Sequence, residues 1–187
     1  VCIYKKINYY LNMIKIFILV FGFLFLSYGP NASEFEEAKD TIQIRKNAMQ
    51  GLWLRIKRLS PYVELNEQVE YGKDIAEQDA KEIEILLNKT KNMWPITSNL
   101  SSKGYTNATP AVWALPGYFD KLYSKAEDSA NKLRVSIEED NIENTELAMC
   151  NLGNACGSCH ANFRRLLTSQ LANEVTGWSG KYIKNCN

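Results

Sequence analysis

Four long segments of this 187-residue chain repeat their apolar residues every three or four positions, and no segment alternates with period two long enough to form a strand. An all-α fold follows from that property. The first segment opens with Ser33-Glu-Phe-Glu36, a capping-box pattern, and sets Phe35, Ala38, Ile42, Arg45, Met49, Leu52, Ile56 and Leu59 on one stripe before Ser60-Pro61 ends it. The second, about Leu65 to Asn88, carries Leu65, Val69, Gly72, Ala76, Ala80, Ile83 and Leu87 on one face and Lys and Glu on the other. Residues 89–110 form a long connection containing Trp94-Pro95, and connections of that length inside a compact domain usually carry a function. A third helix starts at Pro110 or Pro116, where a missing amide is tolerated, and runs through Phe119, Leu122, Ala126, Ala130, Leu133 and Ile137. Asp140-Asn-Ile-Glu143 caps a fourth, which continues through Met149, Leu152, Cys156, Cys159, Phe163 and Leu166. Four helices with one long crossover predict an antiparallel four-helix bundle, an architecture that builds cofactor sites from inward side chains of facing helices.

Composition narrows the function classes. With 22 Lys+Arg against 21 Asp+Glu and 45% hydrophobic residues, the chain is too apolar for a disordered tail and too near neutral to be held to nucleic acid by charge. Its one histidine, His160, means that a Ser-His-Asp triad or a multi-histidine metal site must use that residue or do without. Residues 1–32 hold Lys5, Lys6 and Lys15 and no acid, which leaves 19 basic and 21 acidic residues in the remainder. Their apolar run, Ile16 to Leu26, is 11 residues long, whereas a bilayer-spanning helix needs roughly 20. Basic flank, short apolar core and Ser27-Tyr-Gly-Pro-Asn-Ala-Ser33 read as a secretory signal peptide cleaved after Ala32 or Ser33, with residues 1–12 upstream read-through before Met13. An uncleaved membrane anchor is the other reading of that run. The expected organisation is a presequence over 1–32, a bundle over 33–167 and a patternless C-terminal tail over 168–187, with no membrane contact once the signal is removed. Export puts Cys150, Cys156, Cys159 and Cys186 in an oxidising compartment, where each needs a fate.

Cys156-Gly-Ser-Cys159-His160 is a C-x-x-C-H sequence, the attachment signature of c-type haem. On a helix the two cysteines are three apart and His160 lies four from Cys156, so all three project from one side. Two thiols there suit thioether links to the vinyl groups of a haem, and the adjacent imidazole suits its iron as the proximal ligand. Two other readings compete. A thiol–disulfide redox pair of the thioredoxin type needs a strand-to-helix junction, which this chain lacks. A zinc site of Cys150, Cys156, Cys159 and His160 is open on ligand count, although an i,i+3 pair on a long helix of an exported chain suits haem better.

Cys156-Gly-Ser-Cys-His160-Ala-Asn-Phe-Arg164, Arg45-Lys-Asn-Ala-Met49 on the first helix and Thr109-Pro110-Ala-Val-Trp113 before the third together resemble the class II c-type cytochromes, the cytochrome c′ family. The resemblance covers about residues 34–167 in the same order. It implies a four-helix bundle with one covalently bound haem c in the bacterial periplasm. Burying an arginine in an apolar stripe is costly unless an anion meets it, and Arg45 corresponds to the arginine the family turns on a haem propionate. An arginine whose stem packs on the stripe while its head reaches water is the plainer alternative.

Met49 lies one turn beyond Arg45, over the haem side opposite His160. In the family, an apolar or aromatic residue there resembles the five-coordinate, high-spin members, and methionine resembles the six-coordinate, low-spin ones. A thioether is a soft, neutral sixth ligand that favours ferrous iron and fills the place where a gas would bind. Met13 is in the presequence, Met149 shares a helix with the proximal ligand and Met93 is in the connection, so Met49 is the best-placed sulfur. The expected function is a His160/Met49-ligated electron carrier and not an enzyme. The alternatives are a five-coordinate relative binding nitric oxide or carbon monoxide, and a haem-free structural or metal-binding bundle.

Arg164 matches the family arginine that lies along the proximal imidazole. Leu52, Trp94, Trp113 and Phe163 are candidates for the apolar haem wall, and each is equally readable as ordinary core. Cys150 and Cys186, which haem leaves over, predict a disulfide tying the tail to the fourth helix. Ile44 and Leu54 lie off the stripe and are available for a homodimer contact of the kind the family often forms. The redox partners cannot be read, beyond a slightly acidic mature surface that steers a basic partner more readily than an acidic one.

Overall fold

Six α-helices, two single-turn 3₁₀ segments and no strand make up the described part of the chain, residues 30–64, 72–167, 169–175, 180–184 and 186 of a computed structural model. They are α1 (Pro30–Val63), α2 (Lys73–Thr90), α3 (Ala111–Ala114), α4 (Pro116–Glu138), α5 (Ile142–Phe163) and α6 (Gln170–Val175). The long ones, α1, α2, α4 and α5, are the four-helix bundle read from the periodicity. The leader's apolar run lies outside the described residues, as do Leu65 and Val69 at the expected start of the second helix. Among the described residues no helix is long and apolar enough to cross a membrane.

The chain divides into two compact units, Val1–Asp40 and Thr41–Asn187. Of the first, only the opening turns of α1 are described, where Lys39 pairs with Glu36 at 2.7 Å and lies over the Phe35 ring. In the second, the stripe of α1 is buried at Ile42, Arg45, Leu52, Ile56 and Leu59, and Val63 extends it by a turn. These side chains meet Ala76, Ala80, Ile83 and Leu87 of α2, Phe119, Leu122, Ala126, Ala130, Leu133 and Ile137 of α4, and Ala148, Met149, Leu152 and Phe163 of α5 in one core. Arg55 and Arg58 of α1 pair with Glu82 and Asp79 of α2, while Arg134 of α4 holds Glu84 of α2 at 2.7 Å.

The helix ends depart from the sequence expectations in three places, each for a local reason. Helix α1 begins at Pro30, so Ser33 lies inside the helix and the capping box is not used; proline's fixed φ suits a first turn. The same helix runs through Pro61 to Val63. A proline so near the end removes a single hydrogen bond, and the turn closes through the Glu64 amide donating to the Ser60 carbonyl at 3.0 Å and burial of Val63. Helix α2 begins at Lys73, not Leu65, because Gly72 is extended (φ −68°, ψ 156°) and serves as its N-cap, with Asp74 in the first turn and Lys89 in the last complementing the dipole.

The third-helix signal at two prolines is used twice, for the single turn α3 after Pro110 and for α4 from Pro116. Helix α5 is capped by Asn141, whose side chain accepts from the Asn144 amide at 3.0 Å. The tail is more organised than its sequence suggests. It contains α6, and Cys186 is joined to Cys150 of α5, the pairing expected of the two cysteines that haem leaves over.

Candidate haem site

Cys156, Cys159 and His160 lie in the last two turns of α5, on a helix kept regular by its Asn141 cap. Neither cysteine is in a disulfide, and both are half-buried. Burial pushes the Cys159 thiol up to about 12, with the neighbouring Cys156 adding to it. Burial also raises Cys156, against a hydrogen bond from Tyr182 that lowers it. Both therefore stand as neutral thiols, kept apart from the one disulfide found among the described residues. Because Cys150 is engaged with Cys186, the four-ligand zinc site is not formed, and no metal-holding cluster of His, Cys, Asp or Glu occurs among the described residues.

Helix α1 brings Arg45 to a second wall. Its residue is 3% exposed, so the head does not reach water. One guanidinium nitrogen, Nη1, donates to the Met93 carbonyl at 2.8 Å and to Ser98 Oγ at 2.7 Å, both in the long connection. The guanidinium carbon lies 4.2 Å from the Trp94 ring centre and 6.0 Å from that of Trp113. No described carboxylate pairs with it, and Nη2 is buried without a hydrogen-bond partner among the described residues. Burial accordingly lowers its pKa from 12.5 to about 10. A guanidinium this desolvated is held by neutral acceptors and aromatic faces alone, which leaves it short of an anion.

The connection earns its length by making this wall. Trp113 Nε1 donates to the carbonyls of Trp94 and Pro95, each at 3.0 Å, which fixes the two indoles 6.3 Å apart. Trp94 stacks edge-on against Phe119, which meets Phe163 at 5.2 Å. The Trp94 Nε1 is buried without a hydrogen-bond partner among the described residues. The loop is then stitched to the end of α5: the Thr109 amide donates to the Phe163 carbonyl at 2.8 Å, and the Arg165 amide to the Asn107 carbonyl at 2.7 Å.

The remaining sequence candidates fall into two groups. Trp94, Trp113, Phe163 and Arg45 are brought together as described. Met49 is half-buried against the core one turn beyond Arg45, and Leu52 is buried within the core cluster. Arg164 is half-buried at the C-cap of α5, its pKa lowered by burial and partly restored by nearby Tyr182. Sequence reasoning missed Ser98, the hydroxyl that holds Arg45, and Tyr182 of the tail. Only one signal pointed to the tail, the Gly153/Gly157 spacing, which leaves one face of α5 without side chains.

These residues fit a haem. Two reduced thiols a turn apart next to an imidazole, an aromatic wall and a buried cation lacking its anion are the complement of a flat apolar ring with acidic arms. Comparison with known proteins agrees. A family profile described as Cytochrome C′ matches residues 40–164. Cytochrome c-554 of Cereibacter sphaeroides is 29% identical over 100 residues, a match spanning 53% of this chain and 65% of that protein. Among solved structures, cytochrome c′ from Rubrivivax gelatinosus superposes with a TM-score of 0.61 at 20% identity, covering 68% of this chain and 97% of that one. Cytochrome c′ from Thermochromatium tepidum gives 0.60 at 18% identity over 69% and 97%. A nitric oxide complex of a cytochrome c prime variant from Alcaligenes xylosoxidans gives 0.62 at 17% over 70% and 97%. These structural likenesses establish the shared bundle. With the profile spanning well over half its length, the chain belongs to the cytochrome c′ family and is a mono-haem c-type cytochrome with one covalently attached haem c.

Proposed function

We propose that the protein is an exported, periplasmic carrier of single electrons and not an enzyme, with its haem linked through Cys156 and Cys159 and its iron held between His160 and Met49. When bound, the haem supplies a metal that changes by one electron. The chain's own residues do the rest. Each thiol adds across one vinyl group, its sulfur to one carbon and its proton to the other, which fixes the ring to α5. His160, on the same side of α5, is the proximal base. Arg45 offers its unpartnered Nη2 to a propionate, and Trp94 and Trp113 keep water from that contact.

The observation that carries this reading is the buried, anion-less Arg45, because it supplies a reason for an acidic cofactor that is independent of the cysteine motif. Met49 is supported by its position, half-buried one helical turn from Arg45 on the same stripe. Its thioether is the neutral ligand that favours the ferrous state.

A second reading, in which Met49 leaves the iron open to nitric oxide or carbon monoxide, is favoured by the nitric oxide complex formed by the Alcaligenes xylosoxidans relative. Absorption spectra of both oxidation states separate the two. The first reading expects low-spin bands and slow carbon monoxide binding, and expects Met49→Leu to give a high-spin form that binds carbon monoxide readily. High-spin bands in the unaltered protein would reject Met49 as ligand.

A further inference from the structure

Residues 180–186 lie beyond the 40–164 segment shared with the family, yet they are tied to the bundle. Gly180 has φ 71°, and its backbone rests directly on α5. A Cβ on Gly153 would run into the Gly180 carbonyl, and one on Gly180 would come within 2.8 Å of the Gly157 amide. Glycine is needed on both sides for two backbones to approach so closely. Further along, the Lys184 amide donates to Glu64 Oε1 at 2.7 Å, next to the end of α1, and Cys186 is bonded to Cys150.

Between these ties Ile183 is buried in the core and Tyr182 turns toward the cysteine motif. Its ring centre is 5.8 Å from that of Trp53 on α1. Its hydroxyl hydrogen-bonds the Cys156 sulfur and lies near enough to Arg164 to feel its charge. Desolvation holds the phenol well above its ordinary range, so it remains a proton donor.

We propose that residues 180–186 form a clasp over the haem-attachment side of α5, and that Tyr182 is a positioning residue that donates its O–H to the sulfur through which Cys156 holds the haem. The proposal rests on the haem linkage argued above. A thioether sulfur keeps a lone pair and remains a weak acceptor. The O–H draws electron density from that sulfur, and the clasp keeps water from it. Both effects disfavour the more positive, oxidised state, so the clasp raises the reduction potential.

The test uses the holoprotein with its haem attached. Tyr182→Phe retains the ring against Trp53 and removes only the donor. It is expected to lower the midpoint potential in a redox titration and to move the carbon–sulfur stretching band in the resonance Raman spectrum, with an unchanged melting temperature. The paired variant Cys150→Ser/Cys186→Ser, which releases the clasp, is expected to lower the potential as well and to abolish most of the further effect of Tyr182→Phe. Wild-type potential and carbon–sulfur band in Tyr182→Phe would overturn the proposal. So would an undiminished Tyr182→Phe effect in the released background. Should Tyr182→Phe fail to accumulate, the serine pair decides by itself: a lowered potential supports the clasp and an unchanged one rejects it. Pigment lost on denaturation would instead sink the linkage beneath the proposal, a result distinct from retained pigment with a silent Tyr182→Phe.

Discussion

Arg45 shows how one side chain can report on a group larger than itself. Its pKa is held near 10 by burial, while an unfolded chain restores the ordinary 12.5. The unfolded state therefore holds its proton more tightly, and stability of the haem-free chain rises as pH climbs from about 10 toward 12.5. A propionate beside Nη2 would reverse that penalty. Arg45→Met is accordingly expected to destabilise the holoprotein by roughly 2 kcal/mol in urea unfolding, and to leave a haem-free precursor unchanged or more stable. A loss of equal size in both forms would remove the propionate from the picture. At this scale the sequence was informative wherever chemistry is written in local spacing. Cys156, Cys159 and His160 declare themselves within five positions, and Arg45 stands out as a charge in an apolar stripe. Tyr182 and Ser98 did not, because each matters through one contact with a residue distant in sequence, and no periodicity marks either.

The elements were legible in number and type but not at their ends. Apolar repeats specify a helix body, whereas Pro61 and Gly72 act through single backbone bonds whose outcome depends on neighbouring burial. The tie between α1 and α2 includes Asp79, fully buried and gripped at both carboxylate oxygens by Arg58, whose side chain is 56% exposed. Asp79→Asn is expected to cost about 1–2 kcal/mol, less than for a fully buried pair, because the released guanidinium regains water. A chemical-denaturation curve gives the value directly. For the tail, the disulfide closes a separation of 36 residues, and loop-closure entropy sets its contribution near 4 kcal/mol at most. Gly153→Ala is expected to destabilise by roughly 1–3 kcal/mol, since its methyl group meets the Gly180 backbone and one of the two must move. If Gly153→Ala unfolds at the wild-type urea midpoint, the close approach of the tail is wrong.

Across the whole molecule, charge is balanced and acts through a few cross-helix links. Glu84 is the clearest. Hydrogen bonds from Asn131 and from Arg134 hold its pKa below 4.5. A depressed carboxylate adds stability above the unfolded pKa and loses it as pH falls through the folded one, so this contribution is full at neutral pH and fades in acid. Glu84→Gln is expected to flatten the acid limb of the stability curve below about pH 4.5, with an effect under ~1 kcal/mol because the pair is partly solvated. Ile44 and Leu54 of α1 are 52% and 63% exposed, so the face read as available for a homodimer is open in the single chain. The global bundle was legible because four amphipathic helices have few ways to close a core; the organised tail was not, since it rests on bare glycine backbone with no apolar repeat to announce it. The paired amides that sew the crossover loop to the end of α5 have a consequence for exchange with solvent deuterium. Thr109 and Arg165 belong to no helix interior, yet both should exchange as slowly as core amides, and the cofactor-bearing end of the bundle should resist fraying where helices ordinarily loosen first.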